Sequence, residues 1–314
     1  MPVLGIDTSN YTTSLALMNL TGQLLAEERR LLSVPPGSHG LRQEEAVFQH
    51  VRNLPELLDK LPPLTGLRGV AVSSRPRAVG GSYMPVFLVG VSVALAVAKA
   101  KDIPLFTFSH QANHLAAGLW SLGETLAAGE ILLALHLSGG TSEVVKVQWG
   151  LEPQVEIMGE SLDTNAGQFV DRVGVALGLP FPAGPHLEEL ARDARGLVRL
   201  PGATRAGDMS FSGPLSAALR LVGRAEPQEL ARAVEDCIAR TVEKALLYIS
   251  EKAAIKKVLL VGGVMANQRI KQRLRQRLEH PSKGFTLLFA KPQAARDGAI
   301  GLASLAREKI INQS

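Results

Sequence analysis

The sequence has very little cysteine. Cys237 is the single one in 314 residues, which excludes an internal disulfide and any cysteine metal cluster. Long apolar runs are missing too: the longest, Val86 to Ala100, carries Gly90 and Ser92 and is too short to span a bilayer. Near the N-terminus Gly5 and Asp7 interrupt the only apolar stretch, so no secretory leader is expected there. No membrane partner is expected, and the chain reads as cytoplasmic. No serine or cysteine stands in the setting of an activated nucleophile. Neither sign of charge dominates. The net charge of +5 is compatible with an RNA or nucleotide partner and equally with an ordinary, mildly basic protein.

What is present starts with 46% hydrophobic residues, spread over a length that exceeds one ordinary core, so two lobes are expected. The stretch LLALHLSGGTSEVVKV reads as two strands around a small polar turn of Ser138, Gly139, Gly140, Thr141 and Ser142. Bare backbone at the two glycines lets an anion approach, and the hydroxyls of Ser138 and Thr141 add donors. A plain hairpin is the competing reading. The N-terminal VLGIDTSNYTTSLALMN repeats the grammar: strand, polar turn (Asp7, Thr8, Ser9, Asn10), strand. Two such units roughly 130 residues apart suggest a duplicated fold, one phosphate-facing hairpin from each half and a nucleotide cleft between them.

Further segments carry their own signals. The spacing predicts an amphipathic helix over Gln43 to Leu61 and a buried strand over 69–74. His39 lies in the Pro35–Pro36–Gly37 loop region, within reach of a ligand or simply exposed. Arg75, Arg77, Gly80 and Gly81 form a loop before a helix that is apolar on nearly all sides, a setting that favours an anion. Residues 120–130 read as a linker. Asp171 follows the helical Gly167 by one turn, where it could accept ribose hydroxyls or pair with Arg172 or Arg192. DMSFSG (208–213) reads as a compact loop. The apolar strand Val258 to Val261 delivers Gly262 and Gly263, against which a flat base could lie, with Asn267 able to bond base or ribose. Lys271, Arg273, Arg275 and Arg277 then make a helix basic. Pro227 to Ala253 predicts a long amphipathic helix with Cys237 in the core.

The strand Pro104 to Phe108 ends at Ser109, a good N-cap, and a helix begins with His110. His110 and His114, four apart, project from one helix face, the register for two imidazoles to share an ion. Two solvent-facing polar residues are the alternative. Asp297, before a small-residue helix, is the candidate third ligand.

In this order the motifs resemble the actin, sugar-kinase and Hsp70 superfamily. With the histidine pair they resemble more closely the tRNA threonylcarbamoyl transferase family, once misnamed O-sialoglycoprotein endopeptidase or glycoprotease. The likeness runs through VLGIDTS, SHQANH, LSGGT, GESLDTNAGQFVDR, FPAGP, MSFSG, VGGVMANQRI and the final Asp-Gly helix. It implies an α/β, actin-like ATPase (ASKHA) fold of two duplicated lobes, each a mixed sheet flanked by helices. Residues 1–118, completed by 298–314, would form one lobe and 119–297 the other. It implies one divalent metal, iron or zinc, on His110, His114 and Asp297. Leu137, Ser138, Gly139 and Gly140 would line the phosphate; Asp171, Gly184 and Asn267 would hold the adenosine. Threonylcarbamoyl-adenylate would be the donor and the adenosine beside the tRNA anticodon the acceptor. A related non-catalytic subunit and an ATPase subunit are the implied partners, with a homodimer as the other assembly.

The chain departs from the family pattern at several points. Ser9, Asn10, Tyr11 and Thr12 replace a cysteine and acidic pair, Thr141 a histidine, and Thr164 and Asn165 the middle of Asp-Asp-Ala-Ala-Gly. Arg75, Pro76 and Arg77 replace Gly-Pro-Gly, and Gly298 an asparagine. A diverged bacterial paralogue is therefore expected, one that transfers this group, another, or none. The competing readings are a non-catalytic nucleotide- and metal-binding scaffold and a metalloprotease. HQANH lacks the glutamate base of zinc proteases. A sugar or acetate kinase would leave the histidine pair unexplained.

Overall fold

The computed structural model describes residues 1–9, 11–34, 41–78, 80–292, 294 and 297–313. His39 and Asn10 lie outside the described residues. The chain divides into two compact units, one of Met1–Ala128, Trp149–Gln154 and Arg296–Ser314, the other of Gly129–Gln148 and Val155–Ala295.

The first unit opens with the hairpin β1 (Pro2–Asp7) and β2 (Thr12–Asn19), continued by β3 (Leu24–Leu31). Helix α1 (Gln43–Lys60) leads to β4 (Val70–Arg75), and α2 (Val86–Lys101) crosses to β5 (Leu105–Ser109), which feeds directly into α3 (His110–Leu122). The sheet order is β3-β2-β1-β4-β5, antiparallel in the hairpin half and parallel across β1, β4 and β5. Parallel neighbours need a crossover, and the helices supply it. Leu4 and Ile6 of β1 cluster with Leu15 and Leu17 of β2, Leu54 and Leu57 of α1, and Ala94 of α2. Being covered on both faces, β1 reads as a near-continuous apolar run.

The second unit repeats the plan. It contains β6 (Ile131–Leu137), β7 (Ser142–Gln148), β8 (Gln154–Glu160), α4 (Ala166–Ala176), α5 (Gly184–Leu190), β9 (Ala203–Arg205), β10 (Asp208–Ser210), α6 (Ser212–Leu221) and α7 (Pro227–Ala253). After β11 (Lys257–Val261) come one turn of 3-10 helix (Gly263–Ala266), α8 (Gln268–Leu278) and β12 (Thr286–Phe289). Its sheet order, β12-β11-β6-β7-β8, is the first sheet's order read from the other edge. Leu133, Leu135 and Leu137 pack with Phe169, Phe211 and the buried side of α7, including Cys237.

The DMSFSG loop expected from sequence is partly a strand. Asp208–Ser210 pairs with Ala203–Arg205, because Ala206 (φ 49°) and Gly207 (φ 93°) both take positive φ and close a two-residue hairpin. The first residues of the expected linker belong to α3, which stops where Gly123 takes φ 68° as its C-cap.

The last helix, α9 (Ile300–Gln313), belongs to the first unit. Pleating turns Gly5 of β1 away from the Leu4 and Ile6 side, and a Cβ there would stand 2.4 Å from the carbonyl of Ala299. The absent side chain lets α9 lie against the sheet. Gly301 does the same against α3, where a Cβ would meet the carbonyl of Asn113 at 1.9 Å. No helix among the described residues is long and apolar enough to cross a membrane.

Candidate metal centre and the glycine hairpin

Ser109 ends β5 and caps α3, its hydroxyl accepting from the Ala112 N–H at 3.1 Å. This fixes His110 as the first helical residue and puts His114 one turn on. Their rings meet edge-on, centroids 4.4 Å apart, with the two Nε2 atoms 2.9 Å apart. Asp297 arrives from the other end of the chain. Its Oδ1 lies 3.2 Å from His114 Nε2 and 3.7 Å from His110 Nε2.

Asn113, between the two histidines, holds that carboxylate's segment. Its Nδ2 donates to the carbonyl of Gly298 at 2.6 Å, and its Oδ1 accepts from the Leu302 N–H at 3.0 Å. Arg29 adds a bond to the Asp297 carbonyl at 3.4 Å. Asp7, fully buried at the end of β1, places Oδ2 3.2 Å from His110 Nδ1, an ion-pair contact without hydrogen-bond alignment. The same oxygen accepts from Ser9 Oγ at 2.7 Å.

The donor set fits one divalent ion. For metal bonds of about 2.1 Å at tetrahedral angles, ligand atoms stand about 3.4 Å apart; here the three separations are 2.9, 3.2 and 3.7 Å. The electrostatics favour a cation as well. Burial opposes the charge on His110, yet Asp7 and Asp297 push it up to about 10. Burial likewise opposes the Asp297 carboxylate, but bonds from His110 and His114 hold it well below the usual carboxylate range. Two imidazoles and a carboxylate leave coordination positions open.

In the second unit the hairpin turn is closed by its own serine. Ser138 Oγ accepts from the N–H groups of Thr141 (3.0 Å) and Gly140 (3.3 Å), and the Ser138 N–H donates to the Thr141 carbonyl at 2.7 Å. Two amides expected to face an anion are thus turned onto Ser138. A Cβ built on Gly139 or Gly140 would meet nothing within 4 Å, so the turn faces open space. Gly167 packs beneath it, where a Cβ would lie 2.5 Å from the Gly139 nitrogen, and its N–H donates to the Ser138 carbonyl at 3.1 Å.

Gly262 combines φ 98° with a Cβ position 2.2 Å from the Leu137 carbonyl, so its bare backbone is covered by β6, while Gly263 is open. Leu137, Ser138, Gly139, Gly167 and Gly262 therefore come together. Asp171 forms another group, accepting from the Ala183 N–H at 2.8 Å beside Gly184, and burial raises its carboxyl pKa. Asn267 is committed elsewhere: its Oδ1 caps α8 through the Ile270 N–H, and its Nδ2 donates to Glu235 at 2.7 Å.

Asp163 is a residue that sequence reasoning passed over. Partial burial works against its charge, but Ser210, Ser212 and the N–H groups of Phe211 and Thr164 hold its carboxyl well below the usual range. Asn113 was also missed, although an asparagine at i+3 from His110 on a helix otherwise rich in alanine was a visible signal.

Two sheets of the same order, each led by an antiparallel hairpin, define a protein of the actin-like ATPase fold, with a His-His-Asp cluster in one unit that could hold an ion. The activator of 2-hydroxyisocaproyl-CoA dehydratase from Clostridium difficile, solved with ADPNP bound, has a similar fold: TM-score 0.57 at 12% identity, covering 100% of this chain and 97% of that one. Sequence narrows the class further. The pattern of the tRNA N6-adenosine threonylcarbamoyltransferase family matches residues 32–300, and the chain belongs to that family. A tRNA N6-adenosine threonylcarbamoyltransferase of Methanopyrus kandleri is 29% identical over 96% of this chain and 86% of its own. One of Anoxybacillus flavithermus is 31% identical over 89% and 83%.

Proposed function

We propose that the chain transfers the threonylcarbamoyl group of threonylcarbamoyl-adenylate to the N6 amino group of the adenosine beside a tRNA anticodon. The observation that carries this reading is the convergence of His110, His114 and Asp297, in a chain of this family, on a volume one ion would fill. Those three residues would hold a divalent ion, iron or zinc, which supplies Lewis acidity toward the carbamoyl oxygen when bound.

The remaining work falls to the chain's own groups. The Asp7 charge beside Nδ1 would favour a proton on that side of the His110 ring, leaving Nε2 for the shared site. Asn113 sets where Asp297 stands. Leu137, Ser138, Gly139, Gly140 and Thr141 would border the adenylate phosphate, with Gly167 supporting the turn from below. The second oxygen of Asp171, with Gly184 and the open Gly263, would border the adenosine, and Gly262 would let β11 pack against Leu137; Asn267 would act by holding Glu235 and α8 in place. Positioning is the main task, because the mixed anhydride is already reactive. The N6 lone pair forms the new bond to the carbamoyl carbon, the bond from that carbon to the phosphate oxygen breaks, AMP leaves with the electron pair, and N6 releases a proton. No covalent protein intermediate is required. By family analogy, a related non-catalytic subunit and an ATPase would complete the assembly in the cytoplasm.

The test is to incubate the metal-loaded chain with threonylcarbamoyl-adenylate and tRNA, digest to nucleosides and weigh them. A threonylcarbamoyl gain on adenosine that His114→Ala abolishes is the expected result; unmodified adenosine throughout refutes the reading.

A further inference from the structure

The segment leading into β9 crosses α7, and two of the hydrogen bonds between them lie at the crossing. Arg240 donates from Nη2 to the Leu200 carbonyl at 2.9 Å, and the Cys237 thiol donates to the Pro201 carbonyl at 3.2 Å. Under this crossing lies a cavity of about 250 Å³ whose walls include Arg199, Leu200, Gly202, Arg240, Thr241 and Lys244. On α7, Lys244 stands four positions after Arg240 and three after Thr241, so it neighbours both. None of them belongs to the hairpin, the glycine pair or the metal centre.

The charge in this cavity is unbalanced. Among the described residues, no carboxylate pairs with Arg199, Arg240 or Lys244. The acids nearby in sequence on α7 are already engaged: Glu235 with Arg232, Asp236 with Arg269, and Glu243 with Arg273 and Arg277. Thr241, 1% exposed, has a hydroxyl with no oxygen or nitrogen partner, only the Cys237 thiol beside it. A Cβ on Gly202 would rest against that hydroxyl at 3.4 Å, so a larger side chain there would take up cavity space. Three cations along the walls of one cavity with no paired carboxylate, beside a buried hydroxyl that can donate, is the arrangement that an oxyanion completes.

We propose that this cavity binds a phosphoryl oxyanion, either one phosphodiester of a bound polynucleotide or the phosphate of a free nucleotide or pyrophosphate. The reading concerns binding alone and does not depend on the transfer reaction. Arg240 is left in place in the test because it also holds the Leu200 carbonyl.

The full chain, its Arg199→Gln/Lys244→Gln variant and a charge-matched Lys252→Gln/Lys256→Gln control are titrated calorimetrically with inorganic pyrophosphate and, separately, with a tRNA transcript over a salt series. The cavity variant is expected to lose at least tenfold in affinity in one arm, with the control unchanged and the thermal midpoint of unfolding kept. Loss confined to pyrophosphate identifies a free phosphate. Loss for tRNA, with the salt slope falling by about 1 to 2, identifies a phosphodiester. Gly202→Leu, which fills the cavity at constant charge, is expected to reproduce the loss. Unchanged affinity in both arms, absence of binding by the wild-type chain, or an equal loss in the control overturns the proposal.

Discussion

Gly301→Ala tests whether the contact between α3 and α9 sets the metal site. The added methyl would stand 1.9 Å from the Asn113 carbonyl oxygen and 2.8 Å from the Ala117 nitrogen, both of them backbone atoms that cannot rotate away. An ordinary carbon–oxygen contact is about 3.3 Å, so α9 must withdraw by roughly 1.4 Å. Overpacking of this kind costs about 3 kcal/mol, and alanine's better helix propensity returns about 1 kcal/mol. A net loss of about 2 kcal/mol lowers the unfolding midpoint by about 3 °C in a chain of this size. The two Asn113 bonds flanking the contact, to Gly298 and Leu302, would stretch together and carry Asp297 away from His114. Zinc affinity is therefore expected to fall at least tenfold, or about 1.4 kcal/mol. Thermal unfolding by circular dichroism and zinc titration by calorimetry read the two effects. A variant with the wild-type midpoint and wild-type zinc affinity would refute the reasoning.

Four further expectations follow from the same geometry. Gly139→Ala meets no atom within 4 Å, so its unfolding midpoint should match wild type while adenylate affinity drops several-fold; unchanged affinity would remove the hairpin from the ligand site. His114→Ala should weaken zinc binding about 100-fold, in line with losing one of three donors, as competition with a chelator would read out. Burial pushes Glu235 up to about 7 from 4.5, so its favourable protonated form is fully populated below pH 4.5 and lost as pH rises through 7. Glu235→Gln should therefore gain up to about 3 kcal/mol relative to wild type between pH 4.5 and 8, and parallel denaturation curves would contradict it. Asp163 is depressed, so its contribution is present above its unfolded pKa and lost as pH falls through the folded one. Asp163→Asn should cost about 1 kcal/mol at pH 7 at this exposed position, with the difference shrinking in acid; a pH-independent cost would argue against it.

Features encoded locally were legible in the sequence. Ser109 before His110 announced both the end of β5 and the start of α3, and the spacing to His114 followed from helix periodicity alone. Both hairpins could be read because apolar strands flank short polar turns. What could not be read depends on partners far along the chain. Nothing near Asn267 indicates that Glu235, a helix away, takes its amide, and nothing near Asp7 points to His110. Gly262 was expected to bare the backbone for a base, but the Leu137 carbonyl occupies that space, a packing demand indistinguishable by sequence from a ligand demand. β8 was missed because its exposed positions break the alternation that marks a half-buried strand.

The proposed metal donors come from residues 110, 114 and 297, on opposite sides of the entire second unit in chain order. During synthesis the two imidazoles emerge early and wait, with their carboxylate partner still untranslated, while well over a hundred residues fold. Ion capture by the full trio would thereby be deferred until α9 has docked, so a nascent or prematurely terminated polypeptide would lack the complete centre.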